Sequence, residues 1–191
     1  MRIALLGGSF NPPHMGHQMV CLYLLEAEQF DRVWLVPCYR HAFSKPLETF
    51  ERRLKMCRLC AEPFAGRVEV SGIEKQLADG GVNRTIDTLH SLDSQYPKKE
   101  FTLVIGSDIL AEAPSWKGFD EIRARYPVLV LRRAGHEIES REEGLRYSKT
   151  VFIEMSSTGI RDRLGRGESV AGLVPSSVLE YIEDEGLYRD G

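Results

Sequence analysis

The sequence predicts an α/β fold, a doubly wound parallel sheet with helices on both faces. Three observations carry that expectation: short apolar runs that are continuous rather than alternating, helical patterns between them, and chemistry-bearing residues placed just after strand ends. Continuous apolar strands belong to parallel sheets buried on both faces, and right-handed helical crossovers join such strands. Ligands of these folds bind beyond the carboxyl ends of the strands, where the strand order reverses.

The runs at residues 3–6, 33–36, 68–70, 101–105, 128–131 and 151–153 read as strands. The first meets glycines at once, and a helical pattern begins near Gln18. Residues 37–47 and 77–84, the latter containing Asp79-Gly80-Gly81, read as surface loops. Between them Phe50, Leu54, Cys57, Ala61 and Phe64 recur at spacings of four and three, forming one apolar helix face closed by Gly66. The charged run 137–149 reads as a solvated excursion. Without an internal repeat, low-complexity tract or linker, 191 residues are expected to form one domain over 1–191 with a small C-terminal helical part.

Apolar content of 42% and charged content of 28% are ordinary for a soluble globular chain. A net charge of -3 lacks the basic stripe that a nucleic-acid polymer requires of its partner. The first apolar run is too short for a signal peptide or a membrane span, so a cytoplasmic location without a membrane partner is expected. Cys21, Cys38, Cys57 and Cys60 are scattered, and the Cys57-x-x-Cys60 pair has no second pair at metal-ligand spacing. They read as reduced, mostly buried thiols, with no protein-held metal expected.

Residues 7–17 read Gly-Gly-Ser-Phe-Asn-Pro-Pro-His-Met-Gly-His. Glycines let the backbone approach a ligand closely, and His14 and His17 at a helix start share one face, from which imidazoles can meet bound anions. Ser9 adds a hydroxyl, and Asn11-Pro12-Pro13 shapes the turn. A tight strand-to-helix turn with exposed histidines is the plainer reading; the combination favours a phosphate site.

His14-Met15-Gly16-His17 resembles the H-x-G-H motif of a nucleotidyltransferase superfamily. Ser156-Ser157-Thr158-Gly159-Ile160-Arg161 is similar to that superfamily's Ser-Ser-Thr-x-Ile-Arg motif, which opens a helix and holds the triphosphate of ATP. Hydroxyl and amide donors at a helix start meet a partial charge of roughly half a unit, and an arginine fork matches phosphate oxygens. Alone, the segment could be a plain N-cap formed by Ser156 or Ser157, with Arg161 a surface charge.

Within the superfamily, nearly the whole chain resembles the nicotinate (or nicotinamide) mononucleotide adenylyltransferases. Residues 101–108, Phe-Thr-Leu-Val-Ile-Gly-Ser-Asp, look like that family's strand ending in Gly-x-Asp. Trp116 follows at the family's distance, and residues 181–188 resemble its terminal helix and tail. The resemblance implies a Rossmann-like nucleotidyltransferase fold in which Gly8, Ser9, Phe10, His17, Gly106, Asp108, Ser156, Ser157, Thr158 and Arg161 bind ATP. Asp108 would take the ribose hydroxyls, Trp116 would stack on the pyridine ring, and Arg133 would lie near the mononucleotide phosphate. Lys45, in Phe43-Ser44-Lys45-Pro46, matches a loop lysine brought toward the phosphates. Each has a plainer rival: a helix cap for Asp108, a core anchor for Trp116, a solvated charge for Arg133. Arg53 also has a family counterpart, which a salt-bridging helix arginine explains equally well. Asn83-Arg84-Thr85 keeps only the threonine of the family's Ser-Tyr-Thr, and the Lys45 loop lacks the usual Pro-His-Lys. Thr85 and Arg84 are expected to line the acceptor pocket; Arg84 either favours a nicotinate carboxylate or points to solvent.

The implied reaction, part of NAD biosynthesis, is attack of the mononucleotide phosphate on the α-phosphorus of Mg-ATP with loss of pyrophosphate. A phosphate already ionised near neutral pH needs no protein nucleophile, so His14, His17, Lys45 and Arg161 would align the reactants and stabilise charge. Mg²⁺ bridging phosphate oxygens keeps several waters and needs no carboxylate cage. Two alternatives stay open: a pantetheine-phosphate adenylyltransferase of coenzyme A biosynthesis, which shares both phosphate motifs, and a non-catalytic ATP-binding regulatory module. Trp116 and Gly186-Leu187-Tyr188 favour the pyridine mononucleotide, and the intact motifs favour an enzyme. A homo-oligomer is compatible with all of this.

Overall fold

The computed structural model describes residues 1–40, 47–78, 83–110, 112–136, 138, 142–153 and 155–189. Its strands are β1 (Arg2–Gly8), β2 (Arg32–Pro37), β3 (Val68–Val70), β4 (Glu100–Gly106), β5 (Val128–Arg133) and β6 (Leu145–Phe152). They form one parallel sheet in the order β3-β2-β1-β4-β5-β6. The helices are α1 (Met15–Glu26), α2 (Phe50–Ala61), α3 (Ile73–Gln76), α4 (Thr85–Gln95), α5 (Ser107–Leu110), α6 (Phe119–Arg125), α7 (Ser157–Gly165) and α8 (Ser176–Asp184).

Burial on both faces explains the continuous apolar runs. Ile3 and Leu5 of β1 join Trp34, Leu103 and Val130 on the face covered by α4 and α6. Ala4 and Leu6 join Leu24, Val33, Leu35, Val104 and Leu129 on the face covered by α1. At roughly 25 cal/mol per Å² of apolar surface removed from water, these two layers are the main source of stability. A third cluster of Met56, Cys60, Ile160, Val178, Ile182 and Leu187 seats α7 and α8 against α2, the small C-terminal helical part. Strand order reverses between β1 and β4, so the segments leaving these neighbours diverge and open a crevice at their carboxyl ends.

Three expectations need correction. The first helix begins at Met15 rather than near Gln18, because His14 is its N-cap. The buried face of α2 is Phe50, Arg53, Met56, Cys57, Cys60 and Ala61, whereas Leu54 is only half-buried. A single-face reading fails there because α2 packs on the sheet and on the C-terminal helices at once. Residues 145–149 are not a solvated excursion; they open β6, an edge strand with one neighbour, whose exposed side chains read as loop composition. Its buried Ser148 accepts the Arg132 N–H at 2.9 Å and donates to the Thr150 carbonyl at 2.7 Å, where the β5–β6 register shifts.

Residues 41–46 and 79–82 of the two expected loops lie outside the described residues, as does Lys45. Cys21, Cys57 and Cys60 are buried free thiols and Cys38 is half-buried. Burial pushes the Cys57 thiol well up and that of Cys60 to about 12, so these side chains pack rather than react. Among the described residues no helix is long and apolar enough to cross a membrane.

Candidate active site

The loop after β1 and the start of α7 are built onto each other. The Arg161 Nη1 donates to the Asn11 carbonyl and the Ser157 hydroxyl to the Pro12 carbonyl, both at 2.8 Å. The Met15 N–H donates to the Leu173 carbonyl at 2.9 Å, a further tie between α1 and the C-terminal part. The N-terminal ends of α1 and α7 therefore converge, and with them the positive ends of two helix dipoles. Ser156 caps α7, its Oγ accepting the Gly159 N–H at 3.1 Å, while Thr158 Oγ1 accepts from Arg161 Nη2 at 3.3 Å.

His14 and His17 stack with ring centroids 3.8 Å apart and planes tilted by 31°. The His14 backbone N–H donates to His17 Nδ1 at 3.1 Å, which makes that nitrogen an acceptor and leaves the proton of the neutral ring on Nε2. Burial, reinforced by the Arg133 guanidinium, lowers the His14 pKa to about 4. Burial also holds His17 well below the usual histidine value, with His14 and Arg133 adding to it. Both are neutral imidazoles near neutral pH. Among the described residues the buried His14 Nδ1 has no hydrogen-bond partner. A Cβ at Gly16 would lie 3.0 Å from that nitrogen and 3.1 Å from His14 Cε1, so glycine leaves the His14 ring room to lie against the first turn of α1. Phe10, buried with φ +47°, sets its ring 4.8 Å from that of His17.

The ends of β4 and β5 close the other side. Arg133 pairs with Asp108 through Nη1 and Oδ2 at 2.8 Å, and Nη2 donates to the Met155 carbonyl at 3.2 Å. It is thus a bridge to the α7 approach, not a solvated surface charge. The Ser107 hydroxyl accepts the Arg133 N–H and donates to the His136 carbonyl, both at 3.0 Å. Among the described residues Asp108 Oδ1 is buried with no hydrogen-bond partner. A Cβ at Gly106 would meet it at 2.1 Å, so only glycine leaves the carboxylate where it is.

Thr85, Arg84 and Trp116 lie on the opposite face of the sheet. Arg84 is the exposed N-cap of α4, and Thr85 is that helix's first residue. Trp116 is half-buried and meets Phe119 edge-on at 6.1 Å. A Cβ at Gly118 would lie 3.1 Å from Ile86 Cγ2, so the Trp116 segment and the start of α4 sit together. No hydrogen bond among the described residues links either to the histidines.

Three residues, Asn11, Arg53 and Tyr188, have partners that their sequence context does not indicate. Asn11, 1% exposed, accepts the Glu48 N–H at 3.2 Å and the Tyr188 hydroxyl at 2.8 Å on its Oδ1. Arg53, also 1% exposed, forms none of the eleven ion pairs among the described residues and donates to four backbone carbonyls. The signal for Arg53 was its phase: it sits three residues after Phe50 and four before Cys57, on the apolar face itself. The partners of Asn11 and Tyr188 left no comparable mark.

A 3-2-1-4-5-6 parallel sheet whose switch point sets an H-x-G-H helix start against a Ser-Ser-Thr helix start defines a nucleotidyltransferase of the Rossmann-like α/β class. The cytidylyltransferase-like family model matches residues 5–163. A protein of Anaeromyxobacter dehalogenans (strain 2CP-1) named probable nicotinate-nucleotide adenylyltransferase is 46% identical, over 98% of this chain and 96% of its own. A like-named Myxococcus xanthus protein is 42% identical over 98% and 95%. The chain belongs to the nicotinate-nucleotide adenylyltransferase family. The structure of the Plasmodium falciparum nicotinic acid mononucleotide adenylyltransferase complexed with NaAD superposes with a TM-score of 0.83 at 20% identity, covering 98% of this chain and 97% of that one, and shares the fold.

Proposed function

We infer that this protein joins nicotinate mononucleotide to the AMP moiety of ATP and releases pyrophosphate, a step of NAD biosynthesis. The observation that carries the reading is the seating of Arg161 and Ser157 on the carbonyls of Asn11 and Pro12, which brings both phosphate motifs into one crevice. Its family relatives bear the name of this activity.

The roles follow from the chemistry of each group. The neutral His17 offers an Nε2–H, and His14 lies against it, so both can meet the triphosphate as the transferring charge moves onto the leaving pyrophosphate. Arg161 and the free N–H groups of Ser157 and Thr158 would hold phosphate oxygens, with Gly8, Ser9 and Phe10 supplying backbone from the facing loop. Asp108 Oδ1 would accept from a ribose hydroxyl, with Gly106 leaving room for the adenosine. Arg133, Trp116, Thr85 and Arg84 would serve the mononucleotide, and Lys45 the phosphates. Mg²⁺ would enter with ATP as part of the substrate and need no carboxylate cluster on the protein. We place this reaction in the cytoplasm, carried out by one domain.

Incubation with Mg-ATP and, separately, nicotinate mononucleotide, nicotinamide mononucleotide or phosphopantetheine, with product mass and pyrophosphate both read, tests the assignment. The expected product is nicotinate adenine dinucleotide, formed with the highest kcat/KM of the three. Adenylylation of phosphopantetheine alone, or ATP binding without pyrophosphate release from any acceptor, would overturn it.

A further inference from the structure

The Arg53 guanidinium, three residues into α2, lies inside the protein and reaches four carbonyls on three separate segments. Nε donates to Glu48 at 2.9 Å, Nη1 to Ser9 at 2.8 Å, and Nη2 to Cys38 at 2.8 Å and Tyr39 at 3.3 Å. Burying a cation is costly, and an apolar side chain of similar length would fill the space without that cost. Retaining the charge therefore calls for a geometric role.

The Ser9 bond supplies one. A planar trans peptide points its C=O and N–H in opposite directions. With the Ser9 oxygen drawn to Arg53, the Phe10 N–H of the same peptide is turned away from α2. No described residue accepts that N–H. Phe10 is held at φ +47°, in the left-handed region that a phenylalanine seldom adopts. The relaxed alternative is a flip of the Ser9–Phe10 peptide, which would return Phe10 to negative φ and bury its N–H on the α2 side. The hydrogen bond from Arg53 opposes that flip.

We propose that Arg53 is a positioning residue for ATP: by gripping the Ser9 carbonyl it keeps the Phe10 N–H facing the crevice, available to a phosphate oxygen. This rests on the functional reading above in assigning the triphosphate to that crevice. The same guanidinium, through Cys38, Tyr39 and Glu48, locks the neighbouring backbone against the loop, so a lysine with its single nitrogen cannot replace the fork.

Arg53→Lys and Arg53→Met, compared with the wild type by calorimetric titration with Mg-ATP, by steady-state kinetics and by thermal unfolding, test the role. In folded Arg53→Lys, ATP affinity should fall about tenfold or more and the KM for ATP should rise in step, the loss of one charge-assisted hydrogen bond. The KM for the acceptor should stay within about twofold, a difference too small to count as a lost contact. Guanidinium ion should restore part of the ATP affinity of a further variant, Arg53→Ala, whose short side chain leaves the site open to it, and not that of Arg53→Met, whose side chain fills it. A folded variant with wild-type ATP affinity, losing activity only in proportion to unfolded material, would overturn the proposal. So would a wild-type Phe10 amide resonance that neither shifts nor gains exchange protection on adding Mg-ATP, a readout that needs no variant to fold. Neither the titration nor the resonance involves an acceptor, so failure to adenylylate nicotinate mononucleotide would count against the functional reading alone.

Discussion

The backbone N–H of His14 donates to Nδ1 of His17 at 3.1 Å, so the cap of α1 selects the His17 tautomer. A protonated His17 would carry a hydrogen on the nitrogen that accepts this bond, and the cap would be lost. The helix start thus does two things at once: it satisfies one of its own terminal groups and presents a neutral N–H donor where anions are drawn by two helix ends.

Removing that donor should cost turnover more than folding. His17→Ala is expected to lower kcat about 10²- to 10³-fold, as for other donors aimed at transition-state charge. The lost cap should cost only about 1 kcal/mol. Steady-state kinetics beside urea unfolding measures both, and wild-type turnover in this variant removes His17 from the chemistry.

The histidine pair makes stability depend on pH in a defined window. Burial and Arg133 hold His14 at about 4 against an ordinary 6.5, and His17 is shifted the same way. Below 6.5 the unfolded chain binds protons that the folded chain refuses. Stability from this source is therefore complete above 6.5 and falls as the pH drops toward 4, by on the order of 3 kcal/mol for His14 alone. Buried Glu74, raised to about 7, titrates in the same window with the opposite sign, so the His14 share is read as the difference between the urea-unfolding slopes of the wild type and His14→Asn from neutral pH down to 4.

Asp108, whose Oδ1 has no hydrogen-bond partner among the described residues, should discriminate sugars through its carboxylate if it serves the ribose. The wild type is expected to bind ATP about tenfold or more tightly than at least one of its 2′- and 3′-deoxy analogues, the value of a hydrogen bond to a charged acceptor. Asp108→Ala should weaken ATP binding and erase the difference. Equal affinities of the wild type for all three nucleotides would remove the ribose role.

Gly106→Ala places a methyl group 2.1 Å from Asp108 Oδ1 and 3.1 Å from Arg133 Cδ. The carboxylate must swing out and its pair with Arg133 must break. Affinity for Mg-ATP should fall about tenfold or more, while unfolding should move far less because the displaced group is a side-chain end. Calorimetric titration and thermal unfolding of the same preparation separate the two effects.

Much of this architecture was legible in the chain. The strands that carry the site, β1 and β4, are buried on both faces and so announced themselves as unbroken apolar runs. Ser156 showed its capping role by residue type, and the spacing of His14 and His17 placed them on one face. The first part of β6 stayed hidden because an edge strand has one neighbour and a mostly exposed pattern. For Arg53 the residue type suggests a salt-bridging helix arginine as readily as a family counterpart, although its phase on α2 lies among buried positions.

The sequence by itself determined where most elements form and what chemistry the motifs can offer, because helical periodicity, apolar runs and caps act over a few residues. Only the tertiary structure decided which groups meet: Arg161 with Asn11 across 150 residues, Arg53 with Ser9 across 44, Arg133 with Asp108 across 25. Any backbone carbonyl can accept a guanidinium, so residue type does not name the partner. The packing of α2 on β2 and β3, and the seating of α7 on the loop after β1, do.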